Sequence, residues 1–194
     1  MNKSTLFSIF MILLATLFIA VMPTEAEGAL YSDTVRLHIL AASDSEEDQR
    51  LKLAVRDAVL EKYSERLLIS ENSAEARAAV SSLLPEIEEL ASEVILSYGY
   101  SYSVTAELCE EHYETRVYEN VTLPSGVYHS LIIKIGSGEG KNWWCVMYPP
   151  LCLDVATADI PDSAYTEDEK RLVTLGGYHP RFKILELVSE AFSD

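Results

Sequence analysis

Thr34-Val35-Arg36-Leu37-His38-Ile39-Leu40-Ala41 runs without a break into Ala42-Ser43-Asp44-Ser45-Glu46-Glu47-Asp48, and this junction decides the fold class. In the first half Val35, Leu37 and Ile39 alternate with Arg36, His38 and Leu40, the period-two pattern of a buried strand. In the second half Ser43 and Ser45 offer N-caps, Ser43 to Glu46 has capping-box spacing, and three acidic residues sit where a helix N-terminus favours negative charge. Leu51, Ala54, Val55, Ala58, Val59 and Tyr63 then recur at helical steps, which predicts an amphipathic helix over 46–64.

A second helix is expected after Ser73. Ala76, Val80, Leu83, Ile87, Leu90, Val94 and Tyr98 form its apolar stripe, Pro85 kinks or restarts it, and Gly99 stops it. Glu86, Glu88, Glu89 and Glu93 read as its solvated face. From Tyr100 the period falls to two: Tyr100, Tyr102, Val104, Ala106 and Leu108 share one face of a strand. Residues 114–121 add a short strand, Val127 to Ile135 a longer one, and Trp143 to Tyr148 the last before Pro149-Pro150. The glycine-rich link Gly136-Ser137-Gly138-Glu139-Gly140 predicts that the last two pair as an antiparallel hairpin. Residues 154–170 read as a polar excursion, and Arg181 to Phe192 suits either a helix or a strand. The order β-α-α-β-β-β makes an α+β domain, helices packed on one face of a mostly antiparallel sheet.

Ahead of this domain, Lys3 and the apolar run Leu6 to Met22 precede Thr24, Ala26 and Gly28, which are spaced for signal peptidase. Residues 1–28 are therefore expected to be a cleaved export signal, or failing that an uncleaved anchor; 29–155 is the working domain and 156–194 an element of uncertain role. The chain's 194 residues suit one domain, and 48% hydrophobic with 24% charged residues excludes wholesale disorder. The net charge of -16, of which -15 lies beyond residue 28, argues against nucleic acid or anionic lipid as a partner.

Candidate chemistry is sparse. Outside the cytoplasm Cys145 and Cys152 are placed to pair around Pro149-Pro150, with a cross-strand Cys109–Cys145 bridge as the alternative. Cys109, His112, Cys145 and Cys152 have zinc-ligand chemistry but lack paired CxxC spacing. Ser43, His38 and Asp44 have the residue types of a hydrolytic triad, yet no nucleophile-elbow sequence surrounds the serine, which is better used as a cap. Gly140-Lys141 is followed by Asn142 and a strand, so the glycine loop is a hairpin tip and not a phosphate loop. Trp143 and Trp144 must point to opposite faces of their strand: one fills the core, and the other faces outward or lies under a covering loop.

Two stretches carry a family resemblance. Arg36-Leu37-His38-Ile39-Leu40-Ala41-Ala42-Ser43-Asp44-Ser45, with Asp48-Gln49, Leu51-Lys52 and Val55-Arg56-Asp57, resembles the opening of stage II sporulation protein R. Leu123-Pro124-Ser125-Gly126, Gly138-Glu139-Gly140-Lys141-Asn142-Trp143-Trp144-Cys145-Val146 and Pro149-Pro150-Leu151-Cys152 resemble that family's second signature. The resemblance covers most of residues 34–153 and implies an exported signalling protein, not an enzyme, without a cofactor. It would be made in the forespore, cross into the space between forespore and mother cell, and activate a membrane-embedded aspartic protease that cleaves a sigma-factor precursor. For such a ligand Trp143, Trp144, Arg36 and His38 are the expected partner-binding residues, and the acidic charge favours a basic receptor surface. The competing reading is a secreted hydrolase or zinc-site protein.

Overall fold

A computed structural model describes residues 2–22, 24–68, 70–118, 121–149 and 165–174. Helix α1 (Lys3–Val21) leads, its Leu6, Phe7, Phe10, Ile12, Leu13 and Phe18 exposed. Among the described residues, no helix is long and apolar enough to cross a membrane. Helix α2 (Glu25–Asp33) follows at once and contains the 28/29 boundary expected from the sequence. It opens with a capping box: the Thr24 hydroxyl accepts from the Glu27 N–H, and the Glu27 carboxylate accepts from the Thr24 N–H at 2.6 Å.

The junction that opened the sequence reading folds as expected into β1 (Val35–Leu40) and α3 (Glu46–Leu68). The cap is Ser45, whose hydroxyl accepts from the Asp48 N–H at 3.1 Å, while Ser43 donates to the Asp48 carboxylate. Helix α4 (Ser73–Ser97) starts from Asn72, which accepts from the Glu75 N–H, and runs through Pro85. Gly99, at φ 83°, ends it: its N–H reaches Leu96 O while the Tyr100 N–H reaches Ile95 O, satisfying two last-turn carbonyls. Beyond Ile87 the fully buried positions are Ala91 and Ile95, with the expected Leu90 and Val94 partly buried against the same core and Tyr98 exposed. Steps of four keep a 3.6-residue helix facing one neighbour there, whereas Tyr98 has already turned to solvent.

Strands β2 (Val104–Tyr113), β5 (Gly126–Ile135) and β6 (Asn142–Tyr148) complete a four-stranded sheet in the order β2-β5-β1-β6. Pairs β2–β5 and β1–β6 are antiparallel and β1–β5 parallel, so the α+β domain holds a mostly antiparallel sheet. The expected β5–β6 hairpin does not form, because β1 lies between the two strands. The glycine link is accordingly a bridge over the end of β1, and it is bonded there: Gly140 N–H to Ala41 O at 2.9 Å, and Ser137 Oγ to Ala42 O at 2.8 Å. A Cβ on Gly140 would overlap the Ser43 carbonyl, which is why the close crossing needs glycine.

Short strands β3 (Arg116–Tyr118) and β4 (Val121–Leu123) pair as a separate ribbon, where one short strand was expected. Helix α5 (Glu167–Thr174) begins within the stretch expected to be an aperiodic excursion. The ambiguous tail Arg181–Phe192 lies outside the described residues. One face of the sheet, with Leu37, Ile39, Leu131 and Ile133, packs on α3 and α4 through Val55, Val59, Val80 and Ile87. The other face meets a smaller cluster of Leu30, Leu123, Val146, Tyr165 and Val173 from α2, β4, β6 and α5.

Candidate functional site

The two motif-bearing stretches meet along β1 and β6, and their residues form two groups, one around the turn beyond the end of β1 and one on a face of the sheet. One group locks the scaffold. The Asp44 carboxylate accepts from the Lys141 N–H at 2.7 Å, and the Gln49 amide donates to Ser43 O at 2.8 Å. Lys52, only 4% exposed, donates to Lys141 O and to Gln49 Oε1. Burial pulls its ammonium pKa down, against the opposing pull of Asp44. Every polar group in this description has a partner, the mark of a structural lock. Trp143 belongs with it, packed against the helix-side core with the Arg56 guanidinium 5.1 Å above its ring.

The second group lies on the sheet face opposite α3 and α4. On β1 it contains Arg36 and His38, which register with Val146 and Trp144 on β6. Neighbouring strands add Glu111 and Tyr113 from β2 and Tyr128 and Ser130 from β5. His38, 5% exposed, holds the Glu111 carboxylate through Nδ1 at 2.8 and 3.0 Å. Its ring centroid lies 5.3 Å from that of Trp144, and the Arg116 guanidinium lies 3.9 Å from the Trp144 ring centre, so both side chains border the same indole. Trp144 and Arg116 are both partly exposed. Both tryptophans are partly exposed; Trp143 packs on the helix-side core, and Trp144 lies on the opposite face with His38.

Two residues before His38 on β1, Arg36 is fully buried in an aromatic enclosure, 3.8 Å from the Tyr113 ring, 5.0 Å from Tyr128 and 5.9 Å from Tyr118. Its Nη2 donates to the Tyr118 hydroxyl at 2.6 Å, while among the described residues Nε and Nη1 have no hydrogen-bond partner; nor has His38 Nε2. Tyr113 and Ser130 share a 2.6 Å hydroxyl–hydroxyl bond. Burial pushes the Tyr113 and Tyr128 phenols far above their ordinary range, so both stay neutral.

Other expected arrangements do not assemble. Ser43 is bonded to Asp48, Asp44 to Lys141 and His38 to Glu111, so the three triad candidates are spent on separate partners. Cys109 and His112 are an odd number of positions apart on β2 and point to opposite faces, which breaks the zinc set. Among the described residues no three His, Cys, Asp or Glu groups could hold a metal ion. Cys109 is a free thiol on one outer strand while Cys145 lies on the other, so the cross-strand bridge does not form. Cys152, needed for the local bridge, lies outside the described residues.

The sequence reading missed Glu111, Tyr113, Arg116, Tyr118 and Tyr128. Their signal was the parity of β2 continued past Leu108: Cys109, Glu111 and Tyr113 occupy the face opposite Ala106 and Leu108.

The family model for stage II sporulation protein R matches residues 31–158. The chain belongs to the stage II sporulation protein R family. A curated relative, stage II sporulation protein R of Bacillus subtilis strain 168, is 40% identical over 118 residues, 61% of this chain and 53% of the relative. The chain thus matches about half the length of that relative. No solved structure matches. Membership in the stage II sporulation protein R family gives the chain a role in sporulation, and both groups described above lie within the matched residues.

Proposed function

We propose that this sporulation protein is an exported signal that activates a membrane-embedded aspartic protease of the mother cell, which then processes a sigma-factor precursor. The observation that carries the reading is the contrast between the two groups: Asp44, Lys52 and Lys141, beyond the end of β1, are engaged in the scaffold, while the face of β1 that carries Arg36 and His38 surrounds the partly exposed Trp144. An aromatic ring held in place by neighbours and left accessible is a favoured anchor for a protein partner. Lys3 and the exposed apolar face of α1 support export into the space between forespore and mother cell. Outside the cytoplasm a Cys145–Cys152 bridge would be retained.

Such a ligand works by binding the active arrangement of the protease more tightly than the inactive one. An aspartic protease site needs two Asp, so a ligand-stabilised receptor dimer is the active arrangement we propose. The test is to co-produce the chain with the receptor protease and the precursor in a non-sporulating host. Precursor cleavage only when the chain is present is the expected result. Absence of cleavage with all three components folded and the chain exported would overturn the reading.

A further inference from the structure

Arg36 carries a full positive charge at 0% exposure. Three tyrosine rings and a single hydroxyl satisfy it only in part, since Nε and Nη1 have no partner. A buried cation without a hydrogen-bonded anion is expensive to maintain. Among the described residues no carboxylate forms an ion pair with Arg36: Glu111 holds His38 Nδ1, and Glu169, also fully buried, accepts from the Thr166 N–H and hydroxyl through Oε2 and leaves its Oε1 unpartnered. A second buried polar atom, His38 Nε2, is unpartnered on the same face two residues along, and both side chains border Tyr113.

We propose that Arg36 is the floor of a carboxylate-binding site, filled by an acidic side chain of the protein that this domain engages. Three observations choose the ligand. The unpartnered Arg36 atoms are N–H donors and call for an anionic acceptor. Arg116, partly exposed above Trp144, puts a second guanidinium at the rim, so this spot is cationic on a molecule of net charge -16. Glu111, its side chain 25% exposed, repels a dianion such as phosphate more than a single carboxylate. The approach that we propose is beside Trp144, which is partly exposed and lies 5.3 Å from the ring of His38, two residues along β1 from Arg36. The overall acidity still favours a basic receptor surface, with one acidic side chain of that receptor reaching inward here. The inference deepens the signalling reading and rests on it only for the source of the carboxylate.

The test uses the full chain in mild detergent, titrated with N-acetyl-glutamate methylamide, its glutamine counterpart and acetate, followed by tryptophan fluorescence and melting temperature. The glutamate compound is expected to half-saturate at about tenfold lower concentration than the glutamine one, the size of a charge-assisted hydrogen bond. Arg36→Gln should erase that preference and Arg36→Lys retain part of it. Equal response to the two compounds, or a preference surviving in Arg36→Gln, would overturn the site. Should Arg36→Gln not fold, the contrast on the unaltered chain and the Arg36→Lys variant decide the matter. Acetate binding as well as the glutamate compound would make this a site for free carboxylates and overturn the partner's part. Precursor cleavage that still requires the chain when the two compounds act alike would leave the activator reading standing and remove this one. A preserved preference with no chain-dependent cleavage would do the reverse.

Discussion

Replacing Trp143 and Trp144 by alanine, one at a time, should separate scaffold from platform. Trp143 packs against the helix-side core beside Ile39 and Met147, so its removal leaves a cavity where β6 meets α3. Truncating a buried aromatic costs ~3–5 kcal/mol, and partial exposure of this ring places the loss near ~3 kcal/mol. Trp144 loses the Arg116 contact and the His38 ring contact, worth about 0.5–1 kcal/mol each, for a total of ~1–2 kcal/mol. At about 2–4 °C per kcal/mol for a chain of this size, melting should fall by ~6–12 °C for Trp143→Ala and ~2–8 °C for Trp144→Ala. Precursor cleavage, measured well below both midpoints, should persist with Trp143→Ala and be lost with Trp144→Ala. Equal destabilisation by the two variants, or full cleavage with Trp144→Ala, would refute the division of roles.

Gly140→Ala forces a methyl group into the Ser43 backbone and should lower stability by ~1–3 kcal/mol, read from the denaturant midpoint; an unchanged midpoint would show that the glycine bridge does not press on the end of β1. Glu111→Ala leaves His38 Nδ1 without its acceptor and should cost ~1–3 kcal/mol, whereas Glu110→Ala, on the exposed face of the same strand, should be close to neutral. Burial pushes the Cys109 thiol up, with Glu107 and Glu111 adding to the shift. Its alkylation at mildly alkaline pH should therefore be slower in the folded than in the unfolded chain. Because the folded state holds this proton more tightly, the thiol's contribution to stability is complete below the ordinary thiol range. It is lost as pH rises from there toward the raised value, which a pH series of melts on Cys109→Ser against the unaltered chain would reveal.

Local periodicity made β1, α3, α4, β5 and β6 legible, because each carries a run of apolar residues at its own period against the core beneath α3 and α4. Strand order was not legible: nothing in Gly136–Gly140 says that the chain steps over β1, since the same glycines would serve a hairpin, and only the fit of Gly140 against Ser43 distinguishes the two. The far half of β2 was lost for a related reason. Glu111 and Tyr113 face the buried Arg36 and His38, so an alternation of apolar and polar residues gives way to one of polar residues on both sides. For the site, sequence placed one tryptophan in the core and one outside but could not say which. The parity of Trp143 with Ile39, and of Trp144 with His38, supplies the answer through the pairing of β6 with β1.

The central claim is that the partner meets the sheet face away from α3 and α4. Photo-crosslinking residues placed at Val117, 72% exposed on the ribbon beside Trp144, and at Leu96, 64% exposed on α4, test it in the reconstituted protease system. The account predicts a crosslink to the receptor protease from position 117 and none from position 96. A crosslink from 96 alone would contradict it and move the interface to the helical layer.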